Sequence, residues 1–289
     1  KGECNLVQEV SQQLPIFTLS EILGIPESDR QKLVSWMEFL ELAQYFTYEM
    51  IKEQNEGKTD STPDPAMIDM FNAMVDEMFE YGRFILKEKR KNPANDLLSA
   101  IANAEINGEK LSDEFLDGSW LLIIFAGNDT TRNTMSGGIK LLHENQEQKE
   151  MLINDLELLP NFINETVRCV SPVIHMRRTS LEETEINGQK IGPYEKIALW
   201  YGAANRDPSV FEDPNKFNIL RDNADKHLAF GIGRHTCIGK PIALMQLQEF
   251  YSQFLVRFQD FEMNGDWKVA PNNFVHAIQE MPIKYSPEN

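Results

Sequence analysis

Cysteine is scarce in this sequence of 289 residues, which contains three: Cys4, Cys169 and Cys237. Three widely spaced cysteines cannot form a disulfide framework, and at least one must be unpaired. This pattern suits a reducing compartment. A single cysteine most often serves as a small buried apolar side chain, and we predict that role for Cys4 and Cys169.

Long apolar runs are also absent. The longest, residues 120–126, is far shorter than the roughly 18 to 20 residues that a bilayer requires. Residues 1–5 lack the apolar core of a signal peptide. We therefore predict a cytoplasmic protein with no membrane span.

Basic residues are few: 28 Lys and Arg against 45 Asp and Glu, a formal net charge of −17. Nucleic acid is an unsuitable partner, because phosphate contacts need clustered Lys and Arg. A hydrophobic content of 42% and a charged content of 25% are ordinary for a globular protein with a sizeable core.

Apolar residues recur at helical spacing in the first half of the chain and again near its end. The predicted helices include one that ends at Gly24, one over about residues 66–90, one that starts with Ser112 as N-cap and runs to about residue 145, and one over about residues 240–258. The third is apolar almost all round at residues 120–125, which is typical of a central helix. Its polar residues 128–132 are costly to bury unless they are bonded or functional.

Strand signals follow residue 180. Asn187–Gly188, between alternating residues, predicts a hairpin over residues 185–191. Residues 196–201 predict a buried strand, whereas 202–236 and 55–65 predict irregular loops. The predicted fold class is mainly α with a small β portion, in one partial domain over residues 1–289.

The segment F-G-I-G-R-H-T-C-I-G, residues 230–239, combines a cysteine with three glycines. Glycine permits tight turns and a close approach of a flat ligand to the backbone. Cys237 directly precedes a predicted helix, whose N–H groups and dipole favour a thiolate. A thiolate on a glycine-rich loop is the donor that haem ligation by cysteine requires.

Two other functions compete for this segment. A zinc site with His235 and Cys237 lacks a second pair of Cys or His ligands at suitable spacing. The other is a reactive catalytic cysteine, although three glycines and a phenylalanine are not its signature.

The ten-residue segment resembles the cysteine loop of the cytochrome P-450 family, F-G-x-G-x-H/R-x-C-x-G, at every fixed position. A-G-N-D-T-T, residues 126–131, is similar to the family's central-helix motif, and Glu165 with Arg168 matches its E-x-x-R motif. The likeness continues through residues 205–208 and 211–214. It covers essentially the whole chain and implies the cytochrome P-450 fold without the family's N-terminal region.

The resemblance implies a haem (iron protoporphyrin IX) with Cys237 as the iron ligand. The other haem contacts that it implies are Arg178, His227, Phe230, Gly231, His235 and Gly239. Arg177 is the rival of Arg178 for a propionate. Lys216 stands where the family often has an Arg or His beside the E-x-x-R pair, so the third member of that cluster is left open.

Asp129 and Thr130 resemble the family's acid–alcohol pair, which delivers protons to dioxygen. Gly127 would let substrate and oxygen pass close to the helix. The implied activity is that of a monooxygenase acting on an apolar substrate: an alkane, a fatty acid, or a terpenoid or steroid side chain. The expected pocket residues on this helix are Trp120, Leu121, Ile124 and Phe125.

The family's soluble bacterial members receive electrons from a ferredoxin and its NAD(P)H-dependent ferredoxin reductase. A basic patch of Arg221, Lys226, Arg234 and Lys240 is expected to dock that ferredoxin. Two alternatives compete with this interpretation. One is a truncated, inactive homologue that acts at most as a binding module, and the other is a haem enzyme that uses peroxide.

Overall fold

The computed structural model describes residues 2–57, 64–272, 274–276 and 278–287, apart from the side chains of residues 41–51 and 54. Residues 58–63 of the predicted polar loop lie outside this part. Long helices dominate and strands are short, so the predicted class, mainly α with a small β portion, is confirmed. No helix among the described residues is long and apolar enough to cross a membrane.

The α-helices of the described chain are α1 (Gln13–Leu23), α2 (Arg30–Asn55), α3 (Pro65–Lys91), α4 (Leu97–Asn103), α5 (Asp113–Glu144), α6 (Gln146–Asn154), α7 (Leu159–Val170), α8 (Tyr201–Ala204) and α9 (Lys240–Arg257). The strands are β1 (Glu3–Asn5), β2 (Glu105–Ile106), β3 (Glu109–Lys110), β4 (His175–Thr179), β5 (Thr184–Ile186), β6 (Gln189–Ile191), β7 (Lys196–Trp200), β8 (Glu262–Met263), β9 (Lys268–Val269), β10 (Ile278–Glu280) and β11 (Pro282–Lys284).

All strand pairs are antiparallel. The order β1-β11-β8 forms a three-stranded sheet, and the pairs β2–β3, β4–β7, β5–β6 and β9–β10 form two-stranded ribbons. Asn187 and Gly188 both have positive φ in the turn between β5 and β6, which confirms the predicted hairpin.

Helix ends follow local sequence signals. The Ser112 hydroxyl accepts the N–H of Phe115 at the start of α5, as an N-cap does. Asp64 caps α3 in the same way through the N–H of Ala66. At the end of α1, Gly24 adopts a left-handed conformation with φ 66°.

Backbone contacts divide the chain into two compact units, one of residues 12–129 and one of residues 1–11 with 130–289. Residues of α5 belong to both. In the unit of residues 12–129, Trp120 and Ile124 are buried in the hydrophobic core. The Trp120 Nε1–H donates to the Met78 carbonyl at 3.0 Å. The expectation that Trp120 and Ile124 line a pocket is therefore wrong, because both fill the core between helices.

The other unit has an aromatic core. Phe162 of α7 and Tyr251 of α9 meet edge-to-face with centroids 4.8 Å apart, and Phe254 packs on Phe261. Residues 196–201 differ from the prediction of a buried strand. β7 pairs with β4, and its side chains alternate between exposed and half-buried, with Trp200 55% exposed. A two-stranded ribbon leaves one face to solvent, and Tyr201 already begins α8.

Candidate active site

The cysteine loop joins an irregular segment to α9. The N–H of Cys237 donates to the Phe230 carbonyl at 2.8 Å, which closes the loop across its base. The Cys237 carbonyl accepts the N–H of Lys240, the first residue of α9, at 3.3 Å. The thiol of Cys237 is exposed. The backbone is therefore held on both sides of a side chain that stays accessible at a helix N-terminus.

Two of the three loop glycines have the conformation that glycine favours. Gly231 has φ 69° and Gly233 has φ 72°. A Cβ on Gly231 would also lie 3.2 Å from the His235 carbonyl, so the turn is tight there. Gly239 has φ −81°, and backbone conformation gives no reason for glycine at this position.

His227 lies buried behind the loop, with its ring centroid 5.6 Å from that of Phe230. Its Nδ1 accepts the N–H of Ala229 at 3.3 Å, so the proton of the neutral ring is on Nε2. Among the described residues, Nε2 has no hydrogen-bond partner. Burial lowers the pKa of His227 to about 4, and the ring is neutral at physiological pH. His235, by contrast, is exposed.

Glu165 and Arg168 of α7 form a fully buried ion pair. The guanidinium donates to both carboxylate oxygens at 2.7 Å. Arg221 also binds Glu165, through Nε, at 3.1 and 3.2 Å. The third member of the cluster is thus Arg221, whereas Lys216 contributes its backbone carbonyl, which accepts from both arginines.

The remaining arginine donors bind backbone carbonyls of the irregular segment. Arg168 donates to Asn205 at 2.8 Å and to Pro214 at 2.7 Å, and Arg221 donates to Glu212 at 2.6 Å. These bonds hold together a segment that has little secondary structure of its own. Cys169, next to Arg168, is partly buried, and burial raises the pKa of its thiol to about 12.

Asn205 connects this segment to the cysteine loop. Its amide donates to the Ser171 hydroxyl at 2.9 Å, and its carbonyl oxygen accepts the N–H of Leu228 at 2.6 Å. The Tyr201 hydroxyl lies 3.7 Å from where a Cβ on Gly231 would be. The first residue of α8 therefore lies close to the cysteine loop, and the residue after α8 binds the segment just before the loop.

The β4–β7 ribbon places Arg177 and Arg178 on opposite faces. Arg178 pairs with Ile197 across the strands, and Met176 pairs with Leu199. These four side chains share one half-buried face, because residues directly opposite each other lie on the same side of a ribbon. Arg177 lies on the other face and is exposed.

The polar residues 128–132 of α5 are buried, except for Thr130. Asp129 is 2% exposed, and the neighbouring Thr130 is half-buried. The expectation for Gly127 needs correction, because a Cβ there would lie 2.9 Å from Leu19 Cδ1. Gly127 therefore makes room for a side chain of α1.

The predicted basic patch is smaller than expected. Arg221 is 6% exposed and belongs to the Glu165 cluster, so it cannot form part of a surface patch. Lys226 and Arg234 are exposed, and the Lys240 ammonium lies 5.5 Å from the Phe230 ring centroid. Arg221 and Asn205 are the residues whose roles sequence reasoning missed. Asn205 binds Ser171, 34 positions earlier, and Arg221 binds Glu165, 56 positions earlier, and contacts over such separations cannot be deduced from neighbouring residues.

This mainly helical fold, with an accessible thiol held on a glycine-rich loop ahead of a helix, defines a haem-thiolate class of protein. Comparison with known proteins agrees. The family model "Cytochrome P450" matches residues 63–285. The chain is 32% identical over 289 residues to a steroid C26-monooxygenase of Mycolicibacterium smegmatis, covering 99% of this chain and 68% of the relative.

A linalool 8-monooxygenase of Pseudomonas putida is 34% identical over 287 residues, which cover 99% of this chain and 66% of the relative. Among solved structures, the cytochrome P-450 BioI, in complex with an acyl carrier protein ligated to hexadec-9Z-enoic acid, matches with a TM-score of 0.84 and 27% identity. The match covers 99% of this chain and 70% of the BioI chain. This chain belongs to the cytochrome P-450 family of haem-thiolate monooxygenases, and its cofactor is haem.

The residues present fit this cofactor. Among the described residues no group of three or more His, Cys, Asp or Glu could hold a metal ion. The Cys237 thiol would supply a sulfur donor to the iron. The buried His227 Nε2–H is a donor that needs an acceptor, as a propionate is.

Proposed function

We propose that this chain hydroxylates an unactivated C–H bond of an apolar substrate, with Cys237 as the thiolate ligand of the haem iron. The observation that carries the proposal is the Cys237 loop: an exposed thiol whose backbone is fixed by Phe230 and by the start of α9. When bound, the haem supplies the redox chemistry that activates dioxygen. The protein supplies the thiolate, the cofactor contacts and the protons.

Arg178 is the better candidate for a propionate contact than Arg177. It shares the half-buried ribbon face with Met176, Ile197 and Leu199, which suits a flat apolar cofactor with charged edges. His235 and His227 would supply hydrogen-bond donors from the loop. Phe230, Gly231 and Gly239 would provide apolar contact and close backbone approach.

Asp129 and Thr130 would deliver protons during oxygen activation. The carboxyl group of Asp129 is buried and could pass a proton, and the Thr130 hydroxyl could hold water or dioxygen. This assignment favours dioxygen over peroxide as the oxidant, because the activation of dioxygen is the role that the resemblance implies for this pair.

The substrate proposed is a medium-chain alkane, a fatty acid or a related terpenoid or steroid side chain. The relatives support this range: one is named for a steroid, one for linalool, and BioI is in complex with a protein-bound fatty acyl chain. Half-buried Leu121 and Phe125 are the remaining candidates on α5 for an apolar lining.

A ferredoxin, reduced by an NAD(P)H-dependent ferredoxin reductase, is the proposed electron donor, in the cytoplasm. Lys226 and Arg234 are exposed near the loop on a protein of net charge −17 and would meet an acidic partner. The rate of reduction should fall steeply with added salt. A flat response would exclude electrostatic docking at this patch.

Replacing Thr130 by Ala tests the oxygen chemistry. In a system reconstituted with ferredoxin and reductase, Thr130→Ala should still consume NAD(P)H but release hydrogen peroxide in place of hydroxylated product. Thr131→Ala, one position along the same helix, is the matched control and should remain coupled. Full coupling in Thr130→Ala would contradict the proposed role.

A further inference from the structure

Tyr251 of α9 joins two helices through its hydroxyl. It is fully buried, and the hydroxyl lies 2.8 Å from the Thr134 carbonyl and 3.0 Å from the Met135 carbonyl of α5. The ring is held edge-to-face against Phe162 of α7, with centroids 4.8 Å apart. A hydroxyl has one proton to donate, and here it is shared between consecutive carbonyls of one helical turn.

Gly138 makes this contact possible. A Cβ on Gly138 would overlap the Tyr251 hydroxyl and would lie 3.0 Å from Thr166 Cγ2. A Cβ on the preceding Gly137 would lie 2.6 Å from Val170 Cγ2. Two consecutive glycines weaken a helix interior, so their presence in α5 is explained by the close approach of α7 and α9.

The turn that Tyr251 binds is directly connected to Thr130. The Thr134 hydroxyl donates to the Thr130 carbonyl at 2.7 Å. One residue earlier, the Asn133 side-chain oxygen accepts the N–H of Ile278 at 2.8 Å. The backbone that follows Thr130 is therefore held from α9 and from β10.

At its other end, the same helix α9 leads to the cysteine loop. Lys240 begins α9 and is hydrogen-bonded to the Cys237 carbonyl. One rigid helix thus contacts the backbone of Cys237 at its start and, through Tyr251, the turn after Thr130.

We propose that Tyr251 is a positioning residue for oxygen activation: its hydroxyl, seated over Gly138, fixes the α5 turn after Thr130 relative to the helix that starts at the Cys237 loop. This rests on the function proposed for Cys237 and Thr130. Tyr251 touches neither reacting atoms nor cofactor in this proposal and acts through the α5 backbone.

The test uses the haem-loaded enzyme and Tyr251→Phe, which keeps the ring and removes the hydroxyl. Amide hydrogen exchange over residues 131–139 should become about threefold to tenfold faster, as expected for the loss of one buried hydrogen bond. The ratio of peroxide to hydroxylated product should rise about threefold, less than in Thr130→Ala. This ratio does not depend on how much enzyme is folded. The red-shifted Soret band of the reduced CO complex should be unchanged.

Tyr194→Phe, which removes an exposed hydroxyl, is the matched control and should match the wild type in both readouts. Gly138→Ala should displace the hydroxyl and raise the same ratio, and adding Tyr251→Phe to it should raise the ratio no further.

A wild-type ratio of peroxide to product in Tyr251→Phe, with or without faster exchange, would overturn the proposal. If Thr130→Ala uncouples but Tyr251→Phe does not, this inference alone fails. If Thr130→Ala stays coupled, the proposed role of Thr130 is wrong, and the role inferred for Tyr251 is wrong as well.

Discussion

The Glu165 cluster and the Cys237 loop lie in the same unit of the chain and are opposites in their chemistry. In the cluster, the buried carboxylate of Glu165 binds two buried guanidinium groups. Each guanidinium group also donates to backbone carbonyls. In the loop, the thiol of Cys237, the ring of His235 and the side chain of Ile238, which is 89% exposed, face solvent. The backbone of the loop is fixed, whereas its side chains are accessible.

The difference separates two kinds of residue that a single motif search treats alike. Cluster residues bind other groups of the protein itself. They hold together the irregular segment between α8 and the loop. Loop residues are those proposed above to offer donors and apolar surface to the haem. Breaking the first kind should cost stability, and breaking the second should cost cofactor chemistry with little effect on stability.

The largest effect is expected from Glu165→Gln. It leaves Arg168 and Arg221 buried without a countercharge, which should lower the free energy of unfolding by about 3–5 kcal/mol. Urea unfolding monitored by circular dichroism measures it. Glu144→Gln, which breaks the exposed pair with Lys140 (2.7 Å), is the control and should change stability by less than about 1 kcal/mol. If both variants lost the same free energy of unfolding, the buried cluster would stabilise the fold no more than an exposed ion pair does, and the prediction would be wrong.

A smaller effect is expected from His227 and depends on pH. Its pKa is lowered to about 4 in the folded chain by burial, against 6.5 when unfolded. Below pH 6.5 the unfolded chain binds a proton that the folded chain does not, so stability is lost as the pH falls toward 4. In the cofactor-free chain at pH 5 the loss from this group should reach about 2 kcal/mol.

His227→Gln should remove that part of the pH dependence, whereas His235→Gln, at an exposed position, should retain it. The measurement is the difference in unfolding free energy between pH 7 and pH 5 for each variant. An unchanged difference in His227→Gln would show that the ring is already protonated or exposed in the folded state.

The smallest effect on the fold is expected from chemical labelling of the thiols. In the cofactor-free chain at pH 8, iodoacetamide should alkylate Cys237, which is exposed, and spare Cys169, whose pKa burial raises to about 12. Peptide mass spectrometry gives the modified fraction at each site. Loading with haem should protect Cys237. Labelling of Cys169 first would reverse the assignment of buried and accessible thiols.

Local features were predictable from sequence because their causes are local. The Ser112 cap, the stop at Gly24 and the hairpin at Asn187 each depend on a few neighbouring residues, and the structure has all three. The glycine turn before Cys237 is of the same kind.

Features set by distant residues were missed. Arg221 was assigned to the surface because nothing near it shows that Glu165, 56 positions earlier, binds it. The motif gives Gly127 a role in ligand passage, whereas the structure gives a steric reason for glycine there, the close approach of Leu19 from another helix. The exposed face of β7 follows from its pairing with β4 in a two-stranded ribbon, which its apolar sequence does not encode.

The assignment of Cys237 is tested most directly by titrating the chain with haem, reducing it under CO and recording the Soret band. The wild type should give the red-shifted band of a thiolate-ligated haem. Cys237→His should fold as well as the wild type, because the side chain is exposed, and should lack that band. A Cys237→His variant that keeps the red-shifted band would contradict the account.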